Sequence, residues 1–465
     1  TLREKFPSRD NRRMPDLPGA FPHLTLGYTA ASPVWITEKL KEARTAGASA
    51  AVANKEPAKP DLGPVAARYA VKKDRLWRGS VFPASDADAW LVSGGAAYWQ
   101  LLHGLPDAAE KAAVTLRDEL AALNARYLWI SKREGDLAPA SATRSYTRYG
   151  TYLIPRLKGT FALHQLRLLL GDDAFFGLMK RFHAAHERKE TRGAELAEEA
   201  SLVAGRDVGP FLSQWTARTG LPDPEVKIAA SPDGKGWVVR IEVVQKGTPY
   251  HFLTSMTVEA GGKEWWKPIE VNGERSAFSF RFPDRPVRAV FNAGQDIPVP
   301  NPRFFTWINF VDNFRDALIV HGTGRQVEAN RTLALRWQTT LADAWTETLV
   351  PVVKDCEVSD EELAGHDLVV LGAPAENSVT ARLASKLPPS LAAVFGRNHF
   401  RWDGKVYGRP DDGLFLIAGN SALELHQMTK AYSTKIPSWA VFRGDEAKLQ
   451  GFHAPERFVF EGLSK

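Results

Sequence analysis

Cysteine is almost absent. With only Cys356 in 465 residues, no internal disulfide can hold the fold, and stability must come from buried apolar surface or from assembly. Lying beside a strand-like run, Cys356 is expected to be a buried, structural thiol. No stretch approaches the ~20 uninterrupted apolar residues of a membrane-spanning helix, so no membrane span is expected. An excess of charge of one sign is also missing: 60 Lys and Arg face 54 Asp and Glu, a net charge of +6. The two signs are interleaved, without the basic stripe of a nucleic-acid surface, so nucleic acid is not expected as a partner. The chain opens at Thr1, with neither an initiator Met nor the n- and h-regions of a signal peptide. A matured, exported protein fits that start, and a periplasmic or extracellular location is the expectation.

What the chain does have is aromatic bulk. Its 14 Trp and 24 Phe, with 44% hydrophobic and 25% charged residues, describe an ordinary globular protein with a large core. The length exceeds what one core usually organises, so several domains are expected.

The pattern along the chain changes three times, which gives an α+β multidomain reading. Residues 1–70 are irregular, broken by Pro7, Pro15, Pro18, Pro22 and Pro33. Residues 71–222 have helical periodicity, with about six helices between Ala87 and Arg218, among them Asp107 to Trp129 and Leu157 to Leu170. At Leu221-Pro222 the period becomes two. Val238–Val244, Phe252–Val258, Ser276–Phe282 and Val287–Phe291 alternate like strands, so 223–300 reads as a small β-sandwich. After Pro298, Pro300 and Pro302, residues 301–465 alternate strands and helices, the mark of a parallel α/β sheet with right-handed crossovers.

Several ordered motifs in the middle carry a resemblance. They are Trp90-Leu91-Val92-Ser93-Gly94, Lys158-Gly159, Leu166-Arg167, Leu170-Gly171-Asp172 with Phe175, and Phe211-Leu212-Ser213-Gln214-Trp215, followed by Gly220-Leu221-Pro222. Over roughly residues 71–300 the chain resembles the aminopeptidase N family of gluzincin zinc metallopeptidases. The resemblance implies a thermolysin-like helical catalytic domain followed by a β-sandwich. It also implies a zinc ion held by H-E-x-x-H and a distant Glu, because two His at i, i+4 reach one ion from one helix face. Here the pattern departs. Trp77 and Gly79 set the motif over Val71, Lys72 and Arg75, and no H-E-x-x-H occurs anywhere in the sequence. The Glu of W-L-x-E-G is Ser93. The Tyr that would stabilise the oxyanion is Arg156, and its neighbouring Glu is Leu157. The substrate-amine signature has no match near Gly27-Tyr28-Thr29-Ala30-Ala31. The resemblance with these losses implies a degenerate member without metal or other cofactor: a pseudopeptidase, not an enzyme, that binds a protein partner, forms a homo-oligomer or acts as a scaffold.

Two further readings remain open. The first is a hydrolase with a relocated site, at Ser421 in Gly419-Asn420-Ser421 or at a metal bound by non-family ligands. The second is a processed piece of a larger peptidase. Other candidates have plainer readings beside them. Gly322, Gly324 and Arg325 could cradle a phosphate or form a tight strand-to-helix turn. Trp265, Trp266 and Trp307 could be contact surfaces, or could divide between a core and a domain seam. His183 and His186, spaced for a metal, sit in the charged run of a solvated helix face.

Overall fold

The computed structural model describes residues 24–26, 28–29, 81–143, 148–300, 317–342, 349–384, 401–402, 414–419, 439–443, 446–451 and 455–463. In chain order it begins with short strands β1 (Leu24–Leu26), β2 (Tyr28–Thr29) and β3 (Phe82–Pro83). A helical layer follows: α1 (Ala89–His103), α2 (Ala109–Glu134), α3 (Gly150–Leu170), α4 (Asp172–His186), strand β4 (Glu190–Thr191), α5 (Gly193–Ala204) and α6 (Gly209–Thr216).

The six helices match the number expected, but α3 begins earlier than expected and runs through Pro155. A proline so close to the helix start removes one backbone bond without ending the helix. From Leu153 onward most of α3 is buried, and α1, α2, α4 and α6 all pack on it. Gly171 ends it at φ +78°, where its N–H meets the Arg167 carbonyl, a conformation that glycine adopts without a Cβ penalty.

The sandwich comprises β5 (Glu225–Asp233), β6 (Gly236–Val244), β7 (Phe252–Ala260), β8 (Lys263–Val271), β9 (Arg275–Phe282) and β10 (Pro286–Phe291). One sheet runs β5-β6-β9. The inner face shows the expected period of two, with Val239, Ile241 and Val243 of β6 buried against Met256 and Val258 of β7. The core of the helical layer and that of the sandwich form one cluster.

The third region holds β11 (Ala317–His321), α7 (Val327–Leu341), β12 (Val352–Lys354), α8 (Asp360–Gly365), β13 (Asp367–Leu371), α9 (Ser378–Ala384), β14 (Arg401–Trp402), β15 (Leu414–Gly419), β16 (Trp439–Arg443), β17 (Glu446–Gly451) and β18 (Val459–Glu461). Its seven-stranded sheet runs β12-β11-β13-β15-β1-β16-β17. The first four strands are parallel, as expected. The expectation of a wholly parallel sheet needs correcting. β1 from the far N-terminal part enters antiparallel between β15 and β16, and β16-β17 is a hairpin. β18 leaves this sheet and pairs with β10, giving the second sandwich sheet the order β18-β10-β7-β8. Phe458, just before β18, is fully buried edge-to-face on Phe291. Cys356 is exposed in the turn after β12, not buried. Among the described residues no helix is long and apolar enough to cross a membrane.

Candidate functional site

The site is built where α1 crosses α3. A Cβ on Gly159 would lie 2.3 Å from the Trp90 carbonyl oxygen, and one on Gly94 would lie 2.6 Å from the Gly159 backbone. Only glycine lets the two backbones approach this closely. Ser93 precedes Gly94, and Arg156 stands one turn before Gly159, so both flank the crossing. Ser93 is half-buried, and its hydroxyl donates to the Ala89 carbonyl of its own helix at 2.6 Å. Arg156 is also half-buried, and its guanidinium has no partner among the described residues. At i−4 and i−7 from it stand Tyr152 and Tyr149, which are 53% and 46% exposed. Their rings lie 6.2 Å apart. Three and four residues apart means one face of a helix, so Tyr149, Tyr152 and Arg156 form a single stripe ending at the crossing.

The remaining motif residues face inward and join layers. The Lys158 amine donates to the carbonyls of Arg218 (2.6 Å) and Gly220 (3.0 Å), fixing the turn into the sandwich. Burial pulls its pKa down to about 8, partly opposed by the Asp136 carboxylate. Asp136 itself accepts from the Gly220 N–H. Gln165 both donates to the Leu253 carbonyl (2.8 Å) and accepts from its N–H (2.9 Å), as a neighbouring strand would. Gln214 does the same with His251, at 2.6 and 2.8 Å. Between these clamps His164 bridges the Tyr98 hydroxyl (2.9 Å) and Asp296 (3.2 Å). Asp296 also accepts from Ser255 at 2.7 Å. Burial pushes the Tyr98 phenol up to about 12. Each member of this network is enclosed, His164 and Asp296 almost completely. The network binds the helical layer to the sandwich and presents nothing to a ligand.

The other sequence candidates fall as follows. Trp265 and Trp266 occupy opposite faces of β8. Trp265 turns into the sandwich, edge-to-face with Phe282 at 6.0 Å, and Lys267 on the same face lies 5.7 to 5.8 Å from the rings of Trp265, Phe280 and Phe282. Trp266 stands opposite Thr257, and both indoles are half-buried. Gly322 and Gly324 follow β11 at the point where the strand order reverses, beside β13. There a Cβ would meet the Glu376 carbonyl at 2.2 Å from Gly322, and the Gly324 N–H is bonded to that same carbonyl at 2.8 Å. These glycines therefore serve loop-to-loop packing, and Arg325 projects exposed next to the Glu376 carboxyl, whose pKa burial raises. Asp355 lies alongside, taking the Thr323 hydroxyl at 2.6 Å and the Ser378 N–H at 2.5 Å. Burial works against its charge, but these bonds outweigh it and hold the carboxyl below its usual range. His186 packs on Phe182 and sits 4.0 Å from Glu199. Val71, Lys72, Arg75, Trp307 and Ser421 lie outside the described residues.

Of the candidates that are described, Ser93 has its hydroxyl committed to its own helix and Arg156 is a cation, and neither is a usual zinc donor. Among the described residues no three His, Cys, Asp or Glu gather as a metal site requires. The tyrosine stripe escaped the sequence reading because α3 was expected to begin after Pro155. The spacing 149, 152, 156 is its signal once the helix is extended.

No protein-family model matches the chain. In sequence it is similar to aminopeptidase N of Lactococcus lactis subsp. lactis, 35% identical over 65 residues, which is 14% of this chain and 8% of that enzyme. Among solved structures it is similar to Legionella pneumophila aminopeptidase A in complex with aspartic acid. That likeness is weak, with 17% identity and a TM-score of 0.33, over 62% of this chain and 32% of the other. The chain thus spans well under two thirds of either relative. The segment shared with aminopeptidase N establishes a local, peptidase-like relationship. It also corrects the expectation of a non-enzyme, because the relative it points to is a peptidase.

Proposed function

We propose that this protein acts on peptides, and that the stripe Tyr149–Tyr152–Arg156 beside Ser93 is the surface that holds them. One observation carries the reading. Arg156 is a half-buried cation without a partner among the described residues, flanked on its own helix face by two exposed, mutually packed tyrosines. Tyrosine offers an apolar ring and a polar tip at low entropic cost, and arginine a planar fork of donors. Together they suit a chain of alternating amides and side chains. The local kinship with aminopeptidase N supports peptides as the ligand class. The stripe binds and orients.

The experiment measures hydrolysis and binding of a panel of aminoacyl and short-peptide substrates by the full chain and by Tyr152→Ala. The exposed position of Tyr152 keeps this variant folded. The expected result is peptide binding or turnover that weakens roughly tenfold in Tyr152→Ala. A chain that neither binds nor cleaves any peptide of the panel contradicts the proposal.

A further inference from the structure

Building on the peptide-binding reading, we infer that the stripe recognises a peptide carboxylate, with Arg156 as the group that receives it. The charges on and around α3 point this way. Its buried cations are already engaged: Arg167 is paired with Asp172 at 2.9 Å through two nitrogens, and Lys158 is bonded to two carbonyls. Arg156 has no such partner among the described residues. The positions one turn either side of it are Tyr152, Leu153, Gly159 and Thr160, none of them acidic.

A guanidinium half-withdrawn from water and, among the described residues, lacking a counter-charge has its donor fork open to a planar anion. Carboxylate matches that fork with two parallel hydrogen bonds. The spacing along the helix also limits the ligand. At about 1.5 Å per residue, Tyr152 and Tyr149 lie roughly 6 and 10 Å along the axis from Arg156. An extended peptide advances about 3.3 Å per residue, so the stripe accommodates about three residues, with the carboxylate at the Arg156 end and side chains against the tyrosines. That carboxylate can be an Asp or Glu side chain or the peptide's own C-terminus.

The test titrates the full chain calorimetrically with two pairs of acetylated tripeptides. Acetyl-Tyr-Ala-Asp-amide against acetyl-Tyr-Ala-Asn-amide isolates a side-chain carboxylate. Acetyl-Tyr-Ala-Ala as free acid against its amide isolates the terminal one. In at least one pair the acid should bind about tenfold tighter than its neutral twin, as expected for a charge-assisted bidentate contact, and the pair that shows it identifies the source. Arg156→Met should abolish that preference, and Arg156→Lys should keep part of it. Equal affinities within both pairs overturn the carboxylate inference and leave the peptide-binding reading standing. An acid preference that survives in Arg156→Met overturns the role of Arg156. Absence of binding by all four peptides overturns both.

Discussion

Helix α3 carries Arg156, Lys158 and Arg167 within a few turns, and they meet opposite fates. Lys158 and Arg167 are almost wholly buried, and their donors go to backbone carbonyls, to Asp172 and to the Tyr98 hydroxyl. Arg156 stays half-exposed and, among the described residues, unpaired. A buried cation must be matched inside the protein or it costs several kcal/mol; a half-exposed one can wait for a ligand. The inward side of α3 is therefore a structural seam, and the outward stripe is the surface with chemistry to offer. Residues that resemble a peptidase motif occur on both sides. Resemblance alone does not say which are structural.

Breaking the crossing itself should have the largest effect. Gly159→Ala places a methyl 2.3 Å from the Trp90 carbonyl, and chemical denaturation should show a loss of at least about 3 kcal/mol, or no folded protein. Next comes the enclosed network: Asp296→Ala leaves the Ser255 hydroxyl and His164 without their acceptor, for an expected loss of about 2–3 kcal/mol by the same measurement.

Lys158 sharpens the comparison through pH. Its folded amine releases its proton near pH 8, while the unfolded one holds it to 10.5. The unfolded state then binds more protons across that window, so stability rises with pH. Relative to Lys158→Met, the native chain should gain roughly 2 kcal/mol between about pH 8 and about pH 10. Above that the Tyr98 phenol, held up to about 12, works in the opposite direction. A pH-independent difference would mean that Lys158 is not buried as a cation. The smallest effect on stability belongs to Arg156→Met, whose melt should stay within about 0.5 kcal/mol of the native chain. A large loss there would place Arg156 among the structural cations and erase the contrast.

The helical layer and most of the sandwich were legible because their signals are local: buried Leu at helical spacing, then alternation after Leu221-Pro222. β5 and β8 were not read as strands, since their alternation is diluted by Ala229, Ala230 and the Trp265-Trp266 pair. The entry of β1 between β15 and β16, and the return of β18 to β10, depend on pairings across hundreds of residues that leave no periodic trace. Ser93 and Arg156 were found by resemblance. Asp296, Ser255 and the tyrosine stripe were not, because the first two act only through distant partners and the third was hidden by Pro155. Gly322 and Gly324 stood out as glycines, but what requires them is the backbone of the loop after β13, which no local pattern announces.

The most direct test of the central claim is photo-crosslinking of the full chain with a benzophenone-bearing tripeptide, followed by mass-spectrometric mapping of the labelled residues. The account predicts labels concentrated on α3 around Tyr149 and Tyr152, and reduced in Arg156→Met. A recess elsewhere serves as a control: it measures about 420 Å³, lies at the sandwich end and is lined by Trp237 and the paired Asp233 and Arg281. Labels confined to that recess, or to the seven-stranded sheet, would contradict the account.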